Sequence, residues 1–279
     1  MLRPTPVAES DPPRTGAEFH GPLPSATTVR AYTPEVLSIP RMSATIERRL
    51  LVNFRLDPQV AQDMLPPGLR PQLIRGNALA GVCLIRLGAF RPQWFSPKFG
   101  HRSESAAHRI AVEWDGPDGV RTGVFIPRRH SASRLAQLAG GRVFPGVHEP
   151  AVVTSVETST HLNVTVDAAD LHVDVDVDVV PPERFQSEMF SNLTAASEFF
   201  RKDAVGWSPN RHGSLEALRL DTDAWRVEPG VATRVESSFF DALPVGAAAF
   251  DHILVMRGVP VVWSNPAEMN PDTHAALAP

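Results

Sequence analysis

Leu171-His172-Val173-Asp174-Val175-Asp176-Val177-Asp178-Val179-Val180 is the stretch that decides the fold class of this 279-residue chain. Its apolar residues recur at every second position. An extended strand therefore puts Leu171, Val173, Val175, Val177 and Val179 on one face, and His172, Asp174, Asp176 and Asp178 on the other. A helix would scatter the same side chains around its circumference. The aspartate row reads as a solvated strand face, which also discourages edge pairing. A calcium loop would have to wrap those carboxylates around one point, whereas alternate strand residues lie about 7 Å apart in a line. Val180-Pro181-Pro182 closes the strand.

Outward from this run the chain stays strand-rich. Strands are expected at residues 46–56, 77–90, 109–114, 120–127, 151–159 and 161–166, and again at 224–227, 233–240, 250–255 and 260–263. Asp57-Pro58 opens a short helix through Met64, and Pro66-Pro67-Gly68 stops it. Phe190, Leu193, Ser197 and Phe200 follow helical spacing, with Gly206 beyond them, so a longer helix is expected over 190–202. Many strands and few helices predict one mainly β (α+β) domain over residues 42–264 with a closed or sandwiched sheet. Residues 1–41 hold eight of the 27 prolines and no periodic apolar pattern, and read as a flexible arm. Residues 265–279 read as a tail.

Composition excludes several classes. The net charge of −4 leaves no basic footprint for nucleic acid. No run of 18 apolar residues is present and the N-terminus carries no secretory signal, so the expectation is a cytoplasmic protein with no membrane partner. The single cysteine, Cys83, rules out an internal disulfide. It lies in the apolar run Leu79-Ala80-Gly81-Val82-Cys83-Leu84-Ile85, with no electropositive neighbour close in sequence, and reads as a buried, inert thiol. Cysteine pairs, a His-Glu-x-x-His motif, a glycine-rich phosphate loop and a Gly-x-Ser-x-Gly elbow are all missing, so no metal and no cofactor is expected.

Several ordered segments carry a resemblance. Residues 46–58, Ile46-Glu47-Arg48-Arg49-Leu50-Leu51-Val52-Asn53-Phe54-Arg55-Leu56-Asp57-Pro58, together with Met64-Leu65-Pro66-Pro67-Gly68-Leu69, resemble the opening of acetoacetate decarboxylase-like proteins. So does Ser103-Glu104-Ser105 followed later by Gly141-Arg142. Ala107-His108-Arg109-Ile110-Ala111-Val112-Glu113, Phe125-Ile126-Pro127-Arg128-Arg129, Ser197-Glu198-Phe199-Phe200-Arg201 and Gly206-Trp207-Ser208-Pro209 are similar to the YqjF-like branch of that superfamily. The resemblance implies a closed, cone-shaped β-barrel with a small-molecule cavity. It also implies that Arg48 and Glu104 line that cavity, and that His148 or Glu149 occupies the neighbourhood of the decarboxylases' Schiff-base lysine. The segment Gly140-Gly141-Arg142-Val143-Phe144-Pro145-Gly146-Val147-His148-Glu149 contains no lysine.

That absence directs the chemistry. Schiff-base catalysis needs an amine that is neutral at working pH, and arginine cannot replace it. The chain has two lysines, Lys98 and Lys202, and both read as surface charges. Acid–base and electrostatic chemistry remain. If residues 103–109 are extended, Glu104 and His108 share a face, with Arg109 on the other. Glu104 and His108 are the candidate catalytic pair. Arg48, Arg142, Arg109, His148 and Glu149 are candidate substrate-binding residues, the arginines able to hold a carboxylate bidentately. The competing reading of Glu104 is a structural salt bridge with an arginine. Two functions stay open: a lyase-like enzyme on a small carbonyl or carboxylate compound without a Schiff base, and a non-catalytic binding or sensing protein using the same cavity. The expected partner is a small organic ligand, and a homo-oligomer stays open.

Overall fold

The computed structural model describes residues 40–116, 119–134, 137, 146–202, 205–211 and 214–266. Most of the proline-rich arm, nearly all of the tail and Arg142 lie outside these residues. Among the described residues the strands are β1 (Met42–Leu56), β2 (Arg70–Pro71), β3 (Leu73–Ile74), β4 (Asn77–Pro92), β5 (His101–Gly116), β6 (Gly119–Ser131) and β7 (His148–Pro150). They continue with β8 (Val152–Glu157), β9 (His161–Ala168), β10 (Leu171–Val179), β11 (Val205–Pro209), β12 (Leu215–Asp221), β13 (Glu228–Ser237) and β14 (Ala248–Ser264). Helices α1 (Pro58–Asp63), α2 (Leu193–Lys202) and α3 (Ser238–Asp241) are short. None of the described helices is long and apolar enough to cross a membrane.

The hydrogen-bonded order β1-β4-β5-β6-β11-β12-β14 returns to β1, because β14 pairs with β1 from Met42↔Trp263 to Leu56↔Ala248. From β14 the sheet also continues through β13-β10-β9-β8. The result is a mainly β, closed and cone-like fold. Strands β14, β1, β4, β5 and β6 form a wall that is covered on both faces. Such strands read as continuous apolar runs, as Leu50-Leu51-Val52 does, instead of alternating.

On one face Leu50, Val52, Phe54, Leu84, Ile110 and Val112 pack against Leu162, Val164, Val166, Leu171, Val173, Val175 and Val177. The alternating strand that opened the sequence thus buries its valines here. Its acidic row is tied down laterally: Asp174 meets Arg234 at 2.9 Å and Asp178 meets His161 at 2.9 Å. No group of three or more potential ligands among the described residues could hold a metal ion. On the other face Leu51, Leu79, Cys83, Ala111 and Leu254 pack against Met189, Phe190, Ala196 and Phe200, the last two on α2.

Local chemistry sets the element ends. The Asp57 carboxylate accepts from the Gln59 and Val60 amides at 2.8 and 3.1 Å, and Pro58 opens α1. Helix α2 starts at Leu193, so Phe190 lies in the preceding turn, although it still packs with Phe199 and Phe200. The strand expected at 224–227 is irregular chain, where the Trp225 indole donates to Ser197 instead of joining a ladder. The strand expected at 233–240 stops at Ser237, and Phe239 and Phe240 turn into α3, stacking Phe240 on Phe54 at 3.9 Å. The runs 250–255 and 260–263 are one strand, β14, which passes the break with Gly258 at a φ of 60°. Strands β11 and β12 were not expected.

Candidate functional site

Adjacent residues on a strand face opposite ways, and β1 uses this at Arg48-Arg49. In the pairing with β4, Ile46 lies opposite Leu87 and Arg48 opposite Arg86, so Glu47 is an extra, bulged residue. Beyond the bulge Arg48 turns to the face covered by β8–β10, and Arg49 turns to the face covered by α2.

Arg48 is 1% exposed and anchors an ion network. Its guanidinium donates to Glu104 at 2.5 Å and to Glu157 at 2.6 Å. Arg86 donates to Glu104 at 2.5 Å, to Ser155 at 2.6 Å, and lies 2.6 Å from Glu157. Two cations and two carboxylates neutralise one another. Burial works against ionising Glu157, but Arg48 and Arg86 outweigh it and hold the carboxyl below its ordinary value.

The opposite face holds a cavity of about 560 Å³ between the wall, β11–β12 and α2. Five arginines are among its lining residues, and three of them, Arg49, Arg109 and Arg129, hydrogen-bond to neutral groups. Arg49 donates to the Cys83 sulphur at 3.1 Å, with Met256 Sδ at 3.9 Å. Arg109 donates to Asn53 Oδ1 at 2.5 Å, and its guanidinium lies 4.7 Å over the Phe200 ring. Arg129 donates through two nitrogens to Ser208 Oγ at 3.0 and 2.9 Å. Among the described residues no carboxylate forms an ion pair with any of the three. Burial pushes Arg109 and Arg129 each down to about 10, so both remain cationic at neutral pH. The lining carboxylates are Asp221, already paired with Arg219 at 2.9 Å, and exposed Asp223. Apolar walls come from Leu51, Ile85, Phe199, Phe200 and Trp263.

The structure distributes the sequence candidates over two faces. Arg48 and Glu104 meet directly, but in the ion network and not in this cavity. His108 shares their face, as the extended reading required, and lies about 13 Å further along β5 by strand rise. It is fully buried, 4.3 Å from the Phe239 ring, and among the described residues neither ring nitrogen has a hydrogen-bond partner. Burial, with help from His130 and Arg128, lowers its imidazole to about 3. Arg109 and His148 do line the cavity, His148 lying beside Arg129 in the parallel β6–β7 pairing. Glu149, one residue on, is exposed. Arg142 lies outside the described residues. Lys98 and Lys202 are both exposed and outside the cavity lining.

Sequence reasoning missed Arg49, Arg129 and Cys83 as cavity residues. The signal for Arg49 was available: opposed strand faces give Arg48 and Arg49 different environments. For Cys83 it was not, because its basic neighbours come from other strands.

Comparison with known proteins agrees with this architecture. The chain belongs to the DUF2071 family, described as an uncharacterized conserved protein, whose model matches residues 43–260. A search of curated proteins gave no match. Acetoacetate decarboxylase from Legionella pneumophila is 14% identical with a TM-score of 0.53, covering 89% of this chain and 91% of its own. An acetoacetate decarboxylase-like enzyme from Sphingomonas wittichii is 15% identical with a TM-score of 0.52, covering 85% and 96%. The enduracididine biosynthesis enzyme MppR complexed with pyruvate is 14% identical with a TM-score of 0.50, covering 85% and 96%. These structures establish an acetoacetate decarboxylase-like fold.

Proposed function

Within the DUF2071 family, we propose that this chain binds a small organic carboxylate in the cavity under α2. The observation that carries the reading is the set of three cavity arginines, Arg49, Arg109 and Arg129, that form no carboxylate ion pair among the described residues, the buried Glu216 acting on Arg129 only from further away. Cations held away from water are costly unless something neutralises them. A ligand carboxylate supplies that charge, and guanidinium forks accept it bidentately. The cavity volume suits a small metabolite-sized acid, with Phe199, Phe200 and Trp263 for an apolar tail. The solved relative that carries pyruvate supports a short keto acid as the first compound to try.

Whether the bound acid is transformed divides the reading. As an enzyme, the protein would run lyase-like acid–base chemistry on a carbonyl or carboxylate compound without a Schiff base. His148 is then the cavity group placed to move a proton, and the arginines stabilise developing negative charge. Glu104 and His108 reach that chemistry only from the other face of the wall. As a non-catalytic binder or sensor, the protein would use the same arginines for affinity alone. The pairing of the lining carboxylate Asp221 with Arg219 favours this second form, since it engages a group that could otherwise move a proton.

Calorimetry with pyruvate and longer keto acids tests the proposal. Binding that weakens at least about tenfold in Arg109→Met supports it. Equal affinity for keto acids and their neutral amides would overturn it. Proton NMR of the same mixtures then separates turnover from binding, and borohydride treatment reports any imine. A cytoplasmic location is part of the same reading, a reducing compartment suiting an unpaired cysteine.

A further inference from the structure

The carboxylate cavity contains a nucleophile that the proposed reading does not use. Cys83 lies on β4 between Leu51 of β1 and Ala107 of β5, and its sulphur lines the cavity. An apolar-run cysteine ordinarily packs as a small hydrophobe. Here the fold surrounds it with cations from other strands. The Arg49 Nε–H donates to Sγ at 3.1 Å, and Arg109 and Arg129 both lie within electrostatic reach of the same sulphur. Arg109 is 7% exposed and its Nε finds no partner among the described residues. The neighbouring wall residues Ser105 and Ala107 are small and line the same cavity.

We infer that Cys83 is a covalent site for anionic electrophiles: small carboxylates bearing an electrophilic carbon, such as α,β-unsaturated or α-halo acids. The inference rests on the carboxylate reading of the cavity. The arginines hold the carboxylate and bring the electrophilic carbon to sulphur. With an unsaturated acid the sulphur pair forms the C–S bond at the β-carbon. The π pair moves to the α-carbon, which takes up a proton to replace the one the thiol releases to water. The step is a net addition and needs no oxidant or further reactant. With an α-halo acid the C–S bond forms as the halide leaves with its bonding pair.

Iodoacetate and iodoacetamide test this on the full-length native protein, because they differ in charge and share a reaction. Cys83 is the sole cysteine, so intact mass reports one site, and Cys83→Ser must show no thiol adduct. The expected iodoacetate-to-iodoacetamide rate ratio exceeds that of glutathione by about tenfold or more. Excess pyruvate should slow the iodoacetate reaction, and Arg49→Met should bring the ratio back toward glutathione's. If Arg49→Met does not fold, increasing salt on the wild-type protein serves the same purpose and must compress the ratio. A ratio equal to glutathione's, or labelling that appears only on unfolding, overturns the inference. When calorimetry still shows carboxylate binding in that case, the proposed function survives alone; when it shows none, both fall.

Discussion

His108 gives the sharpest quantitative test, because it separates a catalytic histidine from a core one. Its imidazole is lowered from 6.5 to about 3, burial being the largest cause, with the His130 and Arg128 charges adding to it and Asp170 opposing. In the unfolded chain the ring takes up a proton near its ordinary value, whereas in the folded chain it stays neutral. Between these values the unfolded state binds more protons, so folding stability falls as pH drops from 6.5 toward 3. At about pH 4.5, two units below the unfolded value, the loss is roughly 3 kcal/mol, and its ceiling near pH 3 is about 5 kcal/mol. His108→Phe abolishes that term and also removes two buried nitrogens without partners, worth about 1–3 kcal/mol. Repacking against Phe239 and Phe240 carries its own cost, which does not vary with pH. Urea unfolding of both proteins at pH 7 and pH 4.5 measures the difference. The stability gap should move in favour of His108→Phe by roughly 3 kcal/mol on acidification. Parallel pH dependences would refute the burial argument and return His108 to the list of solvent-connected, functional groups.

Three further outcomes follow from the same geometry. Glu104→Gln leaves Arg48 and Arg86 facing one fewer carboxylate and should cost about 2–3 kcal/mol in urea unfolding, below a fully buried pair because the side chain is 20% exposed. Loss of keto-acid turnover at unchanged stability would instead assign chemistry to Glu104. Glu157 has its folded carboxyl held below the ordinary value, so it contributes stability above about pH 4.5 that is lost as pH falls through the lowered value; Glu157→Gln should flatten acid unfolding there. Gly81→Ala would bring a Cβ within 2.4 Å of the Val52 carbonyl oxygen across the β1–β4 pair, and a thermal melt should show a loss of about 1–3 kcal/mol.

Legibility in the sequence followed periodicity. Leu171 to Val179 could be assigned to a strand, face by face, because one side is core and the other solvent. Strand β5 was expected only over 109–114, since His101 to His108 carries no alternation that a single sequence reveals. Strands β11 and β12 escaped for a related reason: Leu215-Glu216-Ala217-Leu218 buries a glutamate as well as leucines, Glu216 accepting from the Gly146 amide at 3.0 Å. A buried, hydrogen-bonded carboxylate looks polar in a sequence and behaves as core in the fold. The end of β13 failed because Phe239 and Phe240 have strand propensity but gain more by stacking on His108 and Phe54 from a helical turn. Cys83 was read as inert from its sequence neighbours, and its basic surroundings come from β1, β5 and β6, which no local window contains.

The neighbouring arginines of β1 explain why resemblance and geometry direct attention to different groups. Resemblance selects Arg48 and Glu104, and the structure joins them, but within a charge-balanced network in which Glu104 and Glu157 already pair with Arg48 and Arg86. A ligand carboxylate entering there would have to displace Glu104 or Glu157 from a hydrogen-bonded pair. Arg49, one residue on, faces a cavity, forms no carboxylate ion pair among the described residues, and a ligand there displaces only weak sulphur contacts. Protein carboxylates therefore already offset the desolvation of Arg48, whereas a ligand carboxylate would offset it for Arg49. The bulge at Glu47 keeps Ile46 packed with Leu87 while Arg48 turns away, so one strand supplies an ion-paired cation to one face and a sulphur-bound one to the other. Ligand chemistry is accordingly expected on the face of Arg49, Arg109 and Arg129.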